Sequence, residues 1–276
     1  MNIKIVADSA ADIRALADEA VPFAVASLKI ITAEREYVDD DTLNAAEMAN
    51  DLATYKGRSS SSCPNHRDWI DAFGDAEQAV CVTITSGLSG SYNAACMAKD
   101  IYEEEHPGRR VLVIDSLSAG PEMALMIERI RERILTGDDL DTIEKTFDRH
   151  RTRLLFVLSS LKNLANNGRV SPLVAKVAGT LGIRMVGTAS GEGKLDLLHK
   201  CRGEVRALET VLRSMIEAGF AGGRVKIAHC LNSPAAENLK RLIRESFANA
   251  AVDVYPTGGL CSFYAERGGL LVGFEV

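Results

Sequence analysis

Serine dominates the places where this chain could do chemistry. The segment Gly87-Leu88-Ser89-Gly90-Ser91 nearly spells the G-x-S-x-G elbow that presents a nucleophilic serine, but Ser91 stands where that motif needs glycine. A hydrolase would also need a histidine coupled to Ser89, and nothing in the placing of His199 or His229 provides that coupling. The stretch from Gly187 to Lys194 resembles a phosphate-binding P-loop that is one residue too long, with Leu195 where a magnesium-binding Ser or Thr must stand. A hairpin turn accounts for it better. Ser89 offers something else. It follows a buried strand and opens a helix, where free backbone N–H groups and the positive helix end suit a carboxylate or a phosphate. The same position serves equally as a plain helix cap. The run Ser59-Ser60-Ser61-Ser62 is either a flexible loop or a set of donors aimed at one anion. Arg169, in Asn167-Gly168-Arg169, is a surface turn cation or a ligand clamp. His66, His106 and His150 read as solvated loop or helix-end side chains.

The elements that must position these residues alternate strand and helix through the first half. Ile3 to Ala7 is a β-branched run, and Ile13, Leu16, Ala17 and Ala20 mark a helix after it, capped by Asp8 or Ser9. Phe23 to Ile31 is a second apolar run, Tyr37 to Asp41 an acidic turn and Leu43 to Tyr55 a helix. The polar stretch from Gly57 to His66 is too poor in apolar residues to be an element of the core. A helix around Trp69 to Phe73, a strand at Val80 to Thr85, a helix at Tyr92 to Glu104 and a strand at Val111 to Ile114 follow. Pro121 opens a long helix with an apolar stripe from Met123 to Ile134, and Leu140 to His150 continues as a further helix. This rhythm is that of a parallel sheet, whose ligands sit at the carboxyl ends of its strands.

The second half changes character. A strand at Leu154 to Leu158 leads to a turn at Asn166 to Arg169 and a helix from Pro172 to Leu181. Arg184 to Thr188 and Leu195 to His199 form a hairpin. The patterns after it give a helix at Val205 to Ala218, a strand at Val225 to His229, a helix at Ala235 to Ala248, a strand at Val252 to Tyr255 and a last strand at Leu270 to Phe274. The expected fold class is α/β: an N-terminal three-layer α/β/α domain with a mainly parallel sheet, residues 1–151, followed by an α+β domain with a mixed sheet, residues 152–276.

Composition narrows the function classes. The 276 residues are 46% hydrophobic and 25% charged, the balance of a soluble globular protein rather than a disordered, collagenous or disulfide-stapled chain. A net charge of −6 and 5% aromatic residues disfavour nucleic acid and anionic membrane as partners. The six cysteines contain no C-x-x-C pair, so no structural metal is expected. With no signal-peptide pattern and no apolar run of spanning length, a cytoplasmic location is expected.

Taken together, these segments resemble the DegV family of bacterial fatty-acid-binding proteins along essentially the whole chain. Ile5-Val6-Ala7-Asp8-Ser9-Ala10-Ala11-Asp12 is similar to the family's opening strand and its Asp-Ser-x-x-Asp turn. Ser61-Ser62-Cys63-Pro64 stands where the family has Thr-Ser-x-Pro, and Leu88-Ser89-Gly90-Ser91-Tyr92 resembles Leu-Ser-Gly-Thr-Tyr. Val113-Ile114-Asp115-Ser116, Asn167-Gly168-Arg169-Val170-Ser171 and Lys200-Cys201-Arg202 match further blocks. The resemblance implies one long-chain fatty acid in a slot between two domains, with no cofactor and no catalysis of its own. It implies that the carboxylate is held by the hydroxyls of Ser61 and Ser89 with a helix N-terminus, and that Arg169 lies near the pocket mouth or contacts a partner. An acyl-presenting subunit of a fatty-acid kinase is the alternative, and a serine hydrolase or small-molecule kinase a further one. Two positions depart from the family. Asn65 replaces a frequent Ser, and Tyr264 stands where the family often has a His that meets a phosphorylated head group or a kinase. A tyrosine is neither a near-neutral acid nor a cation, which argues against phosphoryl hand-over but leaves the acyl pocket untouched.

Overall fold

The computed structural model describes residues 3–17, 19–173 and 182–276. β1 (Ile3–Asp8), β2 (Phe23–Ala26) and β3 (Lys29–Thr32) come first and soon diverge. β1 and β2 pair in parallel, whereas β3 pairs antiparallel with β4 (Glu36–Val38) and β5 (Ser59–Ser62) in a small sheet of order β4-β3-β5. α1 (Ala45–Thr54) connects the outer strands of that sheet. After α2 (His66–Phe73), β6 (Gln78–Thr83), α3 (Ser91–Glu105) and β7 (Arg110–Asp115) complete a parallel sheet ordered β2-β1-β6-β7. α4 (Pro121–Leu135) and α5 (Leu140–Thr146) follow.

Strand alternation explains the three layers of this half. Ile3, Ile5 and Ala7 share one face of β1 and pack with Met123, Ile127 and Ile130 of α4 and with Leu140 and Ile143 of α5. Val6, on the other face, joins Cys81 of β6 and Trp69, Phe73, Ala95 and Tyr102 of the layer built by α2 and α3.

β8 (Thr152–Leu158) opens a mixed sheet. After α6 (Lys162–Asn166) come β9 (Ile183–Ala189), β10 (Leu195–Arg202), α7 (Glu204–Glu217), β11 (Arg224–His229), α8 (Ser233–Ser246), β12 (Ala251–Pro256), α9 (Gly259–Ala265) and β13 (Leu270–Glu275). The six strands run β10-β9-β8-β13-β11-β12, with only β11 and β12 paired in parallel. Leu155 and Val157 point to the face covered by α7 and α8. Leu154, Phe156 and Leu158 point the other way, toward α9.

α4 joins the two sheets. Gly273 of β13 packs so closely on it that a Cβ there would sit 2.5 Å from the Pro121 carbonyl carbon and 2.6 Å from the Glu122 nitrogen. Arg224 on β11 reaches Glu132 of α4 and Glu275 of β13, and Lys226 Nζ lies 2.7 Å from Glu128 of α4. The partly exposed Arg224 pairs add little each, whereas Lys226 is buried beside its partner.

The expected fold class holds: an α/β half with a parallel sheet, then a half with a mixed sheet. Several local expectations do not. The helix foreseen after Asp8 is a 3-10 turn, Ser9–Ala11, capped by Asp8, and residues 13–17 are irregular. Asp12 and Arg14 have distant polar partners that outweigh the apolar spacing of that segment. The run from Phe23 to Ile31 splits into β2 and β3, in different sheets, and Glu36–Val38 is a strand where a turn was expected. The four serines form β5 because β3 offers an unpaired edge. Leu140 to His150 stops as an α-helix at Thr146. Short helices α6 and α9 were not foreseen. The helix expected at Pro172 to Leu181 lies almost wholly outside the described residues.

Glu122 of α4 is buried between the halves and accepts hydrogen bonds from Ser118 Oγ and Thr152 Oγ1. Burial pushes its carboxyl up to about 7, against those two bonds and the positive charge of Arg153. Between the ordinary glutamate range and about 7, the folded protein holds a proton that the unfolded chain has released. The stability this gives is full below about pH 4.5 and is lost as pH rises through about 7. Asp8 and Asp12 have the same sign. Glu122→Gln removes the titration but keeps an acceptor and a donor. Thermal melts from pH 5 to pH 8 should therefore fall less steeply for the variant than for the wild type. Parallel profiles would show that Glu122 is ionised throughout.

Candidate functional site

The site begins at the carboxyl ends of β1 and β6. Asp8, fully buried there, accepts from Ile84 N at 2.8 Å, Ser91 Oγ at 2.6 Å and Ala10 N at 3.3 Å. Burial pushes it up to about 7 despite those bonds. It thereby anchors both ends of the loop between β6 and α3. Within this loop Ser89 N donates to Thr85 O at 3.2 Å, and Ser89 Oγ accepts from Ser91 N at 3.3 Å. The N-cap of α3 is Gly90, which makes no side-chain cap bond. Ser89 thus stands one residue before the cap, with its hydroxyl over the first turn, and not at the cap itself.

Ser61 lies on β5, paired with Ile30 of β3. Alternation sends Ser60 and Ser62 to the opposite face. Ser61 Oγ lies 2.6 Å from the hydroxyl of Tyr264 on α9. The chain after β5 turns through buried Pro64 into α2, whose N-cap is Asn65. Asn65 Oδ1 accepts from Arg67 N and Asp68 N while Asp68 Oδ2 accepts from Asn65 N, a complete capping box. Asparagine at this position therefore keeps the capping that a serine would provide.

Tyr264 is held by the seat of its helix. Asp39, with no exposed surface, accepts from Gly259 N at 2.8 Å and Leu260 N at 2.9 Å, and it pairs with Arg14. Asp12 accepts from Gly258 N at 3.0 Å. Burial, then the neighbouring Asp39 charge, pushes Asp12 up to about 8. At the other end Glu266 Oε1 accepts from Ser160 Oγ and Asn163 N, and Asn163 Nδ2 donates to Phe263 O. Burial raises the Tyr264 hydroxyl above the ordinary phenol range, with Ser61 and Arg169 opposing. It is neutral at physiological pH. Arg169 places its guanidinium 5.6 Å from the Tyr264 ring centroid and donates from Nε to Leu88 O at 3.2 Å.

These four side chains line one cavity that is partly open to solvent. Leu154, Phe156, Leu158 and Leu271 line it from the mixed sheet, Leu260, Cys261 and Ala265 from α9, and Ile84, Leu88 and Ala119 from the loops beyond the parallel sheet. Burial pushes the Cys261 thiol well up, so that side chain behaves as an apolar group. Ser61, Ser89, Arg169 and Tyr264 thus meet and supply the polar groups of an otherwise hydrocarbon wall. Neither His199 nor His229 lines it. Among the described residues no His, Cys, Asp or Glu group is arranged to hold a metal ion, and no helix is long and apolar enough to cross a membrane. Sequence reasoning missed Asp12, Arg14 and Asp39 as the supports of Tyr264. Their traces were the acidic run at Asp39 to Asp41 and Asp12 in the Asp-Ser-x-x-Asp turn.

A family model described as "Uncharacterised protein, DegV family" matches residues 2–275. A DegV domain-containing protein of Streptococcus pneumoniae strain R6 is 42% identical over 280 residues, covering all of both chains. The structure of the Fatty Acid Kinase (Fak) B3 protein of S. pneumoniae loaded with linoleic acid is similar over 100% of each chain, with 42% identity and a TM-score of 0.97. A DegV family protein from Eubacterium eligens loaded with heptadecanoic acid shares 41% identity over 99% of each chain at a TM-score of 0.96. One from Ruminococcus gnavus, with vaccenic acid, shares 27% identity at 0.91, over 99% of this chain and 100% of that one.

The seat of α9 can be tested directly. Asp39→Ala leaves Arg14 and two helix N–H groups without their acceptor, a loss of about 3–5 kcal/mol. Hydrogen exchange should accelerate at residues 258–265 before it does in β11. Asp39→Asn, which keeps one acceptor oxygen, should lose less. If both variants melt with the wild type, Asp39 does not hold the helix.

Proposed function

The chain belongs to the DegV family, and we propose that it binds one long-chain fatty acid in the cavity between its two sheets, in the cytoplasm and without catalysing a reaction on it. One observation carries this reading: a hydrocarbon-lined cavity whose few polar groups are two serine hydroxyls, a tyrosine hydroxyl and one guanidinium. Relatives sharing 41–42% of their residues with this chain are loaded with linoleic and heptadecanoic acids, which favours the same ligand class here.

The roles follow from the hydrogen bonds. With Tyr264 as donor to Ser61 Oγ, the Ser61 proton is free for a carboxylate oxygen. Ser89 provides the second hydroxyl, and the first turn of α3 adds its positive end. Arg169 covers Tyr264 and draws off no proton. The domains divide at 151/152, with the acyl chain between them. A sixteen-carbon acid takes roughly 14 methylenes out of water at about 0.8 kcal/mol each. Even after ordering costs of several kcal/mol, this leaves micromolar binding or better.

A second reading, in which the protein presents its acyl ligand to a separate fatty-acid kinase, is favoured by the 42% identity to the Fak B3 protein. Incubating the loaded protein with a kinase from the same source and labelled ATP distinguishes the two. Label on the bound acid establishes presentation, and its absence with a kinase active on another carrier leaves binding alone.

Protein made in bacteria and then denatured should release a fatty acid of about fourteen to eighteen carbons, identified by mass spectrometry. A ligand-free protein that also fails to bind palmitate in a displacement titration would overturn the reading. Ser61→Ala and Ser89→Ala should each weaken palmitate about ten- to a hundredfold, and the double variant by less than the product. Tyr264→Phe, acting through Ser61, should lose only a few-fold. Ser60→Ala, on the opposite face of β5, should bind as the wild type does. Loss at Ser60 without loss at Ser61 would shift the carboxylate site by one residue.

A further inference from the structure

Beyond Leu154 lies a second cavity, partly open to solvent, with a different wall. Ser116, Glu122, Arg149, Thr152, Arg153 and Ser190 give it hydroxyls, a carboxyl and two guanidinium groups. Among the described residues Leu154 is the one side chain that lines both this chamber and the apolar cavity. It is 4% exposed and stands opposite Gly273 in the β8–β13 register, where β13 is pressed against Pro121 and Glu122. Leu154 therefore has rigid backbone beside it.

Its place along β8 gives the partition a direction. Leu154, Phe156 and Leu158 share the cavity face, and the first and last are about 13 Å apart at about 3.3 Å per residue. The chain leaves the Leu158 end through α6 to Arg169, which belongs to the polar group with Ser61, Ser89 and Tyr264. Leu154 is at the other end. An acyl chain whose carboxylate lies among those hydroxyls would run along this face and bring its methyl end to Leu154.

We propose that Leu154 is the floor of the acyl slot and sets the longest fatty acid that the protein accepts, because its isobutyl group separates a hydrocarbon wall from a polar, charged chamber. The inference rests on the fatty-acid reading and goes beyond it by naming the residue that selects length. Hydrocarbon gains nothing among two guanidinium groups and a carboxyl, so affinity should rise with each carbon until the chain reaches Leu154 and then stop rising. Each methylene buried before that point multiplies affinity about fourfold.

The experiment is a ladder of saturated acids from twelve to twenty-two carbons, titrated against the delipidated wild type, Leu154→Ala, Leu154→Val and Leu154→Phe. The wild type should show a break in the rise of affinity with length. Leu154→Ala vacates room for two or three carbons and should move the break up by that number. Leu154→Val should move it by about one, and Leu154→Phe should move it down. Fatty acids extracted from the variants as expressed should shift in the same directions. If the alanine variant does not fold, the valine and phenylalanine variants decide. A break at the same length in every folded variant would overturn the assignment while leaving fatty-acid binding intact. A wild type that binds no acid of any length would overturn both.

Discussion

Asp39 accepts hydrogen bonds from the backbone N–H groups of Gly259 and Leu260, and the candidate site depends on that arrangement more than on any other. α9 is a seven-residue helix near the C-terminus, too short to be stable by itself, yet it contributes Leu260, Cys261, Tyr264 and Ala265 to the cavity wall. It is seated against the 3-10 turn, β3 and α1 of the N-terminal half. Two aspartates of the N-terminal half, Asp39 and Asp12, thus reach across 220 and 246 residues of chain to hold the helix that carries Tyr264. Glu266, at a positive φ of 54°, ends the helix sharply and ties it to α6. With both ends of the helix held, Tyr264 meets Ser61 Oγ at 2.6 Å.

The buried acids follow a common logic. Asp8, Asp12 and Glu122 each lie where a loop at a strand or helix end needs acceptors, and burial raises all three toward neutrality. None lines the apolar cavity. The negative charges stay behind the loops and the cavity itself presents donors. That division suits a ligand with one acidic end. A carboxylate at Ser61 and Ser89 would face hydroxyls and a helix end, with the Asp8 carboxyl one residue deeper behind Ser91. A proton retained on Asp8 near neutral pH would remove most of the repulsion between the two.

Long periodic segments were legible in the sequence. The strands β1, β6, β7 and β8 and the helices α3, α4, α7 and α8 stand where their apolar runs and stripes put them, because each packs into a large core. The failures share another cause. α9 buries nearly its whole circumference, so it has no polar face to give a 3.6-residue rhythm. Ile13 to Ala20 has that rhythm, but Asp12 and Arg14 are drawn to the α9 seat and residues 13–17 are irregular. The four serines have poor strand propensity and no alternation to read, and pairing with β3 decides their state. Ser61, Ser89, Arg169 and Tyr264 were reachable through their blocks of resemblance, and their meeting in one cavity was not visible from spacing. Leu154 carried no signal at all, since it reads as one leucine of a buried strand.

β5 and β8 show how differently two strands protect a site against error. A slip of one residue in β8 would exchange Leu154, Phe156 and Leu158 for Leu155 and Val157, leaving two cores mismatched, so register there is enforced by packing. A slip in β5 would replace one serine by another and cost almost nothing in side-chain chemistry. Its register must therefore come from outside the strand. Asn167 Nδ2 holds the Ser59 carbonyl at one end, while buried Pro64 and the Asn65 capping box stop the chain at the other. The hydroxyl that meets Tyr264 is consequently chosen by residues that never touch it. Asn65 can differ from serine without disturbing the site, provided that it still caps α2 and keeps Ser61, rather than Ser60 or Ser62, turned toward the cavity.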